Sequence, residues 1–385
     1  MKLAYIAIVT LAAIAVGAHD VTVNVLVQYP ASNLNNGATL GLRGSSPLSW
    51  TESWPLTQSQ TEPHNWRAQF TITGLNSTFK TWEVATKVIV DGNIWQLGCN
   101  DRFTVTINQT VLNVTMWPYF MTYNGTQVTL KNVHSPQLNN SRHVWLYIPP
   151  AMVENTYRWE RNVNIFQDGQ NLAPLWNVPE HLDKHILDGT MESLFVIGPY
   201  NMDAFRIDEY TYVPDPTYGG GDGNLYLDFL QDTLIPYVAA RYQIMTAQEN
   251  MGILGSSLGG LIACYAGITR RHIYSKIGCM SSSFWWDFEN FRHEIVPQLT
   301  VEHARTQKYY IDSGDSGDTD DGRPESSRVM TQFPIRVNEF IIGTNLFYYL
   351  QRGGHHNEYF WSKRFRHPMQ WLYFHDAVWN YHEEE

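Results

Sequence analysis

Between residue 20 and about residue 117, apolar and polar positions alternate in short runs broken by turn-forming residues. Residues 21–27 read VTVNVLV, 66–72 read WRAQFTI, 83–90 read EVATKVIV, and 103–107 keep the same period of two. Successive strand side chains point to opposite faces, so each run can bury one face and wet the other. Several such runs at this spacing predict an all-β sandwich over residues 19–120. From about residue 127 the pattern changes. Apolar runs at 144–148, 163–167, 194–198, 251–255, 276–280, 309–312 and 346–351 alternate with helix-like stretches, the longest at 225–241 and 257–268. Strand and helix in alternation predict βαβ units and a mostly parallel central sheet, so residues 121–385 are expected to form an α/β domain. The boundary is placed near residues 118–124.

The first 18 residues, MKLAYIAIVTLAAIAVGA, do not fit either pattern. A lysine near the start, an apolar run and a close of small residues predict a signal peptide cut after Ala18. No later stretch holds about 18 uninterrupted apolar residues, so no membrane span is expected and the mature chain reads as secreted and soluble. Cleavage would leave His19 at the terminus, where amine and ring can hold copper. Nothing after it resembles a copper oxidase, and the histidine is read as coincidental. Five sequons, at Asn76, Asn108, Asn113, Asn124 and Asn139, fit an exported glycoprotein.

Charge narrows the partners. The formal net charge of −11 argues against nucleic acid and anionic membranes, which need a basic surface. With 43% hydrophobic residues a sizeable core can form. Of the three cysteines, Cys264 and Cys279 fall near a helix and the next strand. They can pair or remain buried thiols, and both readings stand.

The stretches LRGSSPLSW (42–50) and KVIVDGNIWQLGCN (87–100) resemble a carbohydrate-binding module of the starch-binding kind. The resemblance implies that Trp50, Trp54 or Trp95 stacks on sugar rings. The other reading is a spacer domain with core tryptophans.

Gly255-Ser256-Ser257-Leu258-Gly259 follows the apolar run MGIL and precedes GLIACYAGI. This is G-x-S-x-G in a strand–turn–helix context, which lifts Ser257 to the end of the sheet and aims the positive end of a helix at it. A serine hydroxyl is a weak nucleophile at neutral pH. It needs a base within hydrogen-bond reach and an acid that fixes the tautomer of that base. Downstream lie an acidic loop, DSGDTDDG, and the pair His355-His356. Acyl transfer also needs preorganised amides for the oxyanion. One is the amide of Leu258, directly after the nucleophile.

Several stretches resemble the esterase family that includes esterase D-type, feruloyl and enterochelin esterases. They are FQDGQN (166–171), RIDEY (206–210), GSSLGGL (255–261), SSSFWW (281–286, with Ser282 where proline is usual) and GHHNE (354–358) followed by Trp361 and Arg364. The resemblance covers about residues 127–370 and implies an α/β-hydrolase fold. It implies that His356, which precedes Asn-Glu, is the base in preference to His355. By the same likeness the acid falls on Asp321-Gly322, so Asp321 is favoured, with Asp315 next and Asp318 and Asp320 behind. The second oxyanion donor falls on Gln170 or Gly169.

The expected function is a serine carboxylic-ester hydrolase working through Ser257, His356 and Asp321 and an acyl-enzyme, with no metal and no cofactor. His181 and His185, four apart on a helix, are read as a solvated face rather than a metal site, for want of further ligands. Trp285 and Trp286 either line the substrate pocket or pack in the core. The company of a sugar-binding-like domain points to polysaccharide-linked acyl or feruloyl esters. The alternatives are a carbohydrate-binding protein with an inactive hydrolase domain, a peptidase, and an acyltransferase using the same triad.

Overall fold

A computed structural model describes residues 19–76, 78–317 and 320–374. The predicted leader and Asp318 lie outside the described residues. The chain divides into two compact units, one running to Gln96 and resuming over Asn100–Pro118, the other holding Leu97–Cys99 and everything from Tyr119.

The first unit is all β. Its strands are β1 His19–Gln28, β2 Leu40–Gly44, β3 Trp54–Pro55, β4 Thr57–Gln58, β5 Asn65–Leu75, β6 Thr81–Val90, β7 Ile94–Trp95, β8 Asp101–Thr106 and β9 Val111–Met116. One sheet has the order β4-β5-β1-β9. The other has β3-β2-β6-β7, with β8 pairing β6. In β1 the alternation is strict: Val21, Val23, Val25 and Val27 are buried and the residues between them are not. Phe70 of β5 meets Phe103 of β8 at 6.4 Å between ring centroids, which joins the two sheets through their inner faces.

The second unit is built on eight strands: β10 Thr126–Ser135, β11 Asn140–Ile148, β12 Val163–Phe166, β13 Phe195–Pro199, β14 Met251–Ser256, β15 Lys276–Met280, β16 Lys308–Gly314 and β17 Leu346–Gln351. Their order is β10-β11-β13-β12-β14-β15-β16-β17. The β10–β11 and β11–β13 pairs are antiparallel and the rest parallel. Parallel strands connected by crossovers are covered on both faces, which explains the unbroken apolar runs. Ile253, Cys279 and Tyr309 enter one core with the helix Leu258–Thr269. Their neighbours Leu254, Met280 and Tyr310 enter a second core with the helix Val178–Leu187, Trp361 and Phe365. Two details differ from the sequence expectation. β10 is an additional edge strand. The helix expected over 225–241 runs as Gly223–Asp228, a wide π-type turn Phe229–Leu234, and Ile235–Ala239.

Cys264, on the helix Leu258–Thr269, is disulfide-bonded to Cys279 of β15. The bond fastens the helix that follows Ser257 to the neighbouring strand. For a loop this short such a link is worth about 3 kcal/mol on the chain-entropy account.

Candidate active site

The centre of the site is the turn between β14 and the helix Leu258–Thr269. Ser257 occupies it with φ 58° and ψ −125°, a region sparsely used by residues with a Cβ. Such strain costs about 1–3 kcal/mol and persists only where the surroundings force it. Here they do. A Cβ on Gly255 would lie 2.4 Å from the carbonyl oxygen of Gly259, and one on Gly260 would lie 2.4 Å from Ser282 Oγ. The Ser257 amide donates to Met280 O at 3.0 Å, and the Ser257 carbonyl accepts from the Ser283 amide at 3.1 Å. Ser257 is therefore clamped to the end of β15 from both sides.

His356 lies between β17 and the helix Glu358–Arg364. Asn357 caps that helix, its side chain accepting from the Phe360 amide. His356 Nε2 is 2.9 Å from Ser257 Oγ, and His356 Nδ1 is 2.6 Å from Asp321 Oδ1. A carboxylate can only accept, so Nδ1 carries the proton and Nε2 is free to accept from the serine. The ring stands nearly perpendicular to that of Trp361, with 5.0 Å between centroids.

Asp321 is fully buried, in a short turn after β16. Its second oxygen, Oδ2, accepts from Ser281 Oγ at 2.7 Å, the Gly314 amide at 2.5 Å and Arg364 Nη2 at 2.9 Å. Burial works against its charge, but the bonds from His356, Arg364 and Ser281 outweigh it and hold the carboxyl below its ordinary range. Of the other acidic candidates, Asp315 is engaged elsewhere, accepting from the Gly353 amide at 2.6 Å. Asp318 lies outside the described residues, and of Asp320 only the backbone is described. The ring of His355 packs against Phe360, away from the serine–histidine contact.

The turn after β12 forms the facing wall. Asp168 has φ 58°, and its carboxylate is gripped by Arg206 through two bonds of 2.8 Å and by Asn201 Nδ2 at 2.6 Å. Its amide donates to Tyr210 OH at 3.0 Å. Gln170 Oε1 accepts from the Asn201 amide at 3.1 Å. At Gly169 a Cβ would fall 1.9 Å from the Gly198 carbonyl oxygen, so only glycine fits this approach. Leu258 opens the helix after Ser257, where first-turn amides lack an intrahelical acceptor. A cavity of about 360 Å³ opens between Ser257 and this turn, lined among others by Ser257, Gln170, Arg206, Glu358, Trp176 and Trp361.

Some expectations are corrected. His181 and His185 are half-buried rather than a solvated face. His181 packs on Phe365, His185 bonds Thr190 Oγ1 at 2.9 Å, and burial lowers the pKa of both. Trp286 is a core residue whose indole donates to the Val213 carbonyl, whereas Trp285 is exposed. Trp176 and Trp361 form the aromatic walls of the cavity instead. Ser283, with its Oγ 3.4 Å from that of Ser257, and the buried Asp312 of β16 stand in the site without a sequence motif that marks them for a role.

The family described as "Putative esterase" matches residues 135–372. The chain belongs to this esterase family. It is 26% identical over 260 residues to the uncharacterized protein YbbA of Bacillus subtilis, a match covering 63% of this chain and 97% of that protein. It is 37% identical over 101 residues to the siderophore triacetylfusarinine C esterase of Aspergillus fumigatus, covering 25% of this chain and 33% of that one. Among solved structures, an enterobactin esterase from Shigella flexneri superposes with a TM-score of 0.50 at 14% identity, over 91% of this chain and 92% of its own. Membership makes the chain a carboxylic ester hydrolase of α/β fold, preceded by a separate β unit. No helix among the described residues is long and apolar enough to cross a membrane.

Proposed function

We propose that this esterase works by covalent serine catalysis. Ser257 attacks the ester carbonyl while His356 takes its proton, and Asp321 holds the imidazole in the working tautomer. The amides of Leu258 and Gln170 receive the oxyanion. The leaving alcohol takes its proton from His356, and water activated by the same ring then hydrolyses the acyl-enzyme. The observation that carries the reading is the unbroken line of hydrogen bonds from Ser257 Oγ through His356 to the buried Asp321. A fluorophosphonate probe tests it. One phosphonyl group per chain is expected, on the peptide containing Ser257, with parallel loss of p-nitrophenyl acetate turnover. Label on another residue, or full turnover after labelling, overturns the reading.

The proposed setting is extracellular. The leader-like start, the Cys264–Cys279 disulfide and the exposed sequon residues Asn108, Asn113, Asn124 and Asn139 support it. The proposed substrates are polysaccharide-linked acyl or feruloyl esters. A siderophore ester is the second reading, favoured by the stretch of 37% identity to the fungal siderophore esterase. Comparing turnover of methyl ferulate, acetylated xylan and a hydroxamate siderophore ester separates the two.

The β unit is proposed to bind sugar. Trp50 and Trp95 are exposed, with ring centroids 6.4 Å apart, and the Arg43 guanidinium covers Trp95 at 5.1 Å. Exposed aromatic faces beside polar groups suit the C–H faces of sugars. Trp50→Ala should weaken maltoheptaose binding about tenfold, the loss of one stacked aromatic contact, with ester turnover unchanged. Absence of maltoheptaose binding by the unmodified protein in calorimetry would remove the proposal.

A further inference from the structure

Behind Asp321 lies a second carboxylate that the proposed mechanism does not use. Asp312, in β16, is fully buried, and its Oδ1 is 3.1 Å from Arg364 Nε. The same guanidinium reaches Asp321 Oδ2 through Nη2 at 2.9 Å and Gln351 Oε1 through Nη1 at 2.9 Å. The side chains of Arg364, Asp312 and Asp321 have no solvent exposure. Ser281 ties the group together. Its hydroxyl donates to Asp321 and accepts from Trp361 Nε1 and Arg364 Nη2, while its amide donates to Asp312 Oδ1 at 2.9 Å. One cation is thus shared between two carboxylates out of contact with solvent, and only one of those carboxylates touches His356.

We propose that Arg364 and Asp312 are positioning residues that set the charge felt by His356, and with it the pH at which the site becomes active. The inference rests on His356 acting as the base. Arg364 lies behind the acid, so its positive charge opposes protonation of the imidazole. Asp312 lies beyond Arg364 and offsets part of that charge. The two substitutions must therefore act in opposite directions. Burial pushes Asp312 up to about 6, so it gives up its charge readily if the guanidinium is removed. The residual field after Arg364→Gln is then that of Asp321 alone. Other charges near the ring are Glu358 two residues along its own chain segment and the Asp168–Arg206 pair across the cavity, and both substitutions leave these unchanged.

The acid limb of the rate–pH profile of kcat/KM reports protonation of the essential base in the free enzyme. With Arg364→Gln it should move to higher pH by about half a unit, and with Asp312→Asn to lower pH by a similar amount, the scale expected for one charge at this remove in a protein interior. Arg364→Lys keeps the charge but loses the planar fork. It should lower kcat while leaving the limb where it was. The profiles are read with p-nitrophenyl acetate and, separately, as the rate of fluorophosphonate labelling, on variants whose thermal melts remain cooperative. If Arg364→Gln does not fold, Asp312→Asn and Arg364→Lys still give distinct outcomes. Limbs that stay in place in a chain that labels at Ser257, or that move the same way in both charge-removing variants, overturn this inference and spare the mechanism. A chain inert to ester and phosphonate alike ends both.

Discussion

Replacing Ser257 by alanine is expected to lower kcat for p-nitrophenyl acetate by about a million-fold, the scale seen when a nucleophile that works as a unit with its base is removed. What remains is catalysis by the oxyanion amides and by binding, so KM should change little. The fold should survive. The unusual backbone at this position is imposed by the close passages at Gly255, Gly259 and Gly260 and by the amide bond to Met280, none of which uses the hydroxyl. Alanine has the same Cβ as serine and meets no new contact. The stability change should stay within about 0.5 kcal/mol, as for substitutions that touch no core packing or buried network. Chemical denaturation beside the rate assay separates lost chemistry from lost structure. A Ser257→Ala protein that melts normally and retains more than about a hundredth of the activity would assign the nucleophile elsewhere, because the residual catalysis of a disabled triad is far smaller.

The parts of this molecule legible in its sequence are those where one physical demand dominates. Strands buried on both faces must be apolar throughout, so runs such as MGILG and KIGCM mark β14 and β15. The elbow needs glycines around a serine, and that pattern is local. Where two demands compete, the signal fades. β10 lies at the sheet edge with Val128 and Leu130 only partly covered, so its alternation of half-buried and exposed residues reads weakly. The turn Phe229–Leu234 interrupts a helix whose apolar pattern carries on through it. Asp321 could be favoured over its neighbours only by likeness to a family loop, because four aspartates within seven residues have the same chemistry on paper. What distinguishes it is a set of donors from four separate places: Ser281, Gly314, His356 and Arg364. None of these is near it in sequence except Gly314. The Asp312–Arg364 pair is hidden for the same reason. An aspartate in a strand and an arginine in a helix 52 positions later show no pattern until the chain is folded. Trp176 belongs to this class too, reaching the cavity from the segment before the helix Val178–Leu187.

Those donors make a second strong prediction. Asp321→Asn is nearly isosteric, and a free carboxamide can turn either way. Here it cannot. Three donors, from Ser281, Gly314 and Arg364, converge on the side of Oδ2, so the amide oxygen must face them and the NH2 group must face His356. His356 Nδ1 would then have to accept, which moves its proton to Nε2 and points it at Ser257 Oγ. The ring would offer the serine a donor where it needs an acceptor. A wrong-tautomer histidine of this kind lowers kcat by about ten-thousand-fold with little change in the resting geometry. Stability carries a matching sign. The Asp321 carboxyl lies below its ordinary range in the fold, so ionised Asp321 stabilises the protein above the unfolded carboxyl pKa, and this contribution disappears as pH falls through the folded value. Asp321→Asn should therefore be less stable than the parent protein near neutral pH, by about 1–3 kcal/mol for a weakened set of buried charged hydrogen bonds. The difference should shrink as urea melts are repeated below about pH 4, where the unfolded parent chain begins to take up the proton that the folded carboxyl still refuses. Unimpaired kcat in Asp321→Asn would mean that the imidazole takes its orientation from some other group, and Asp315, across the same loop, would be the next carboxylate to replace.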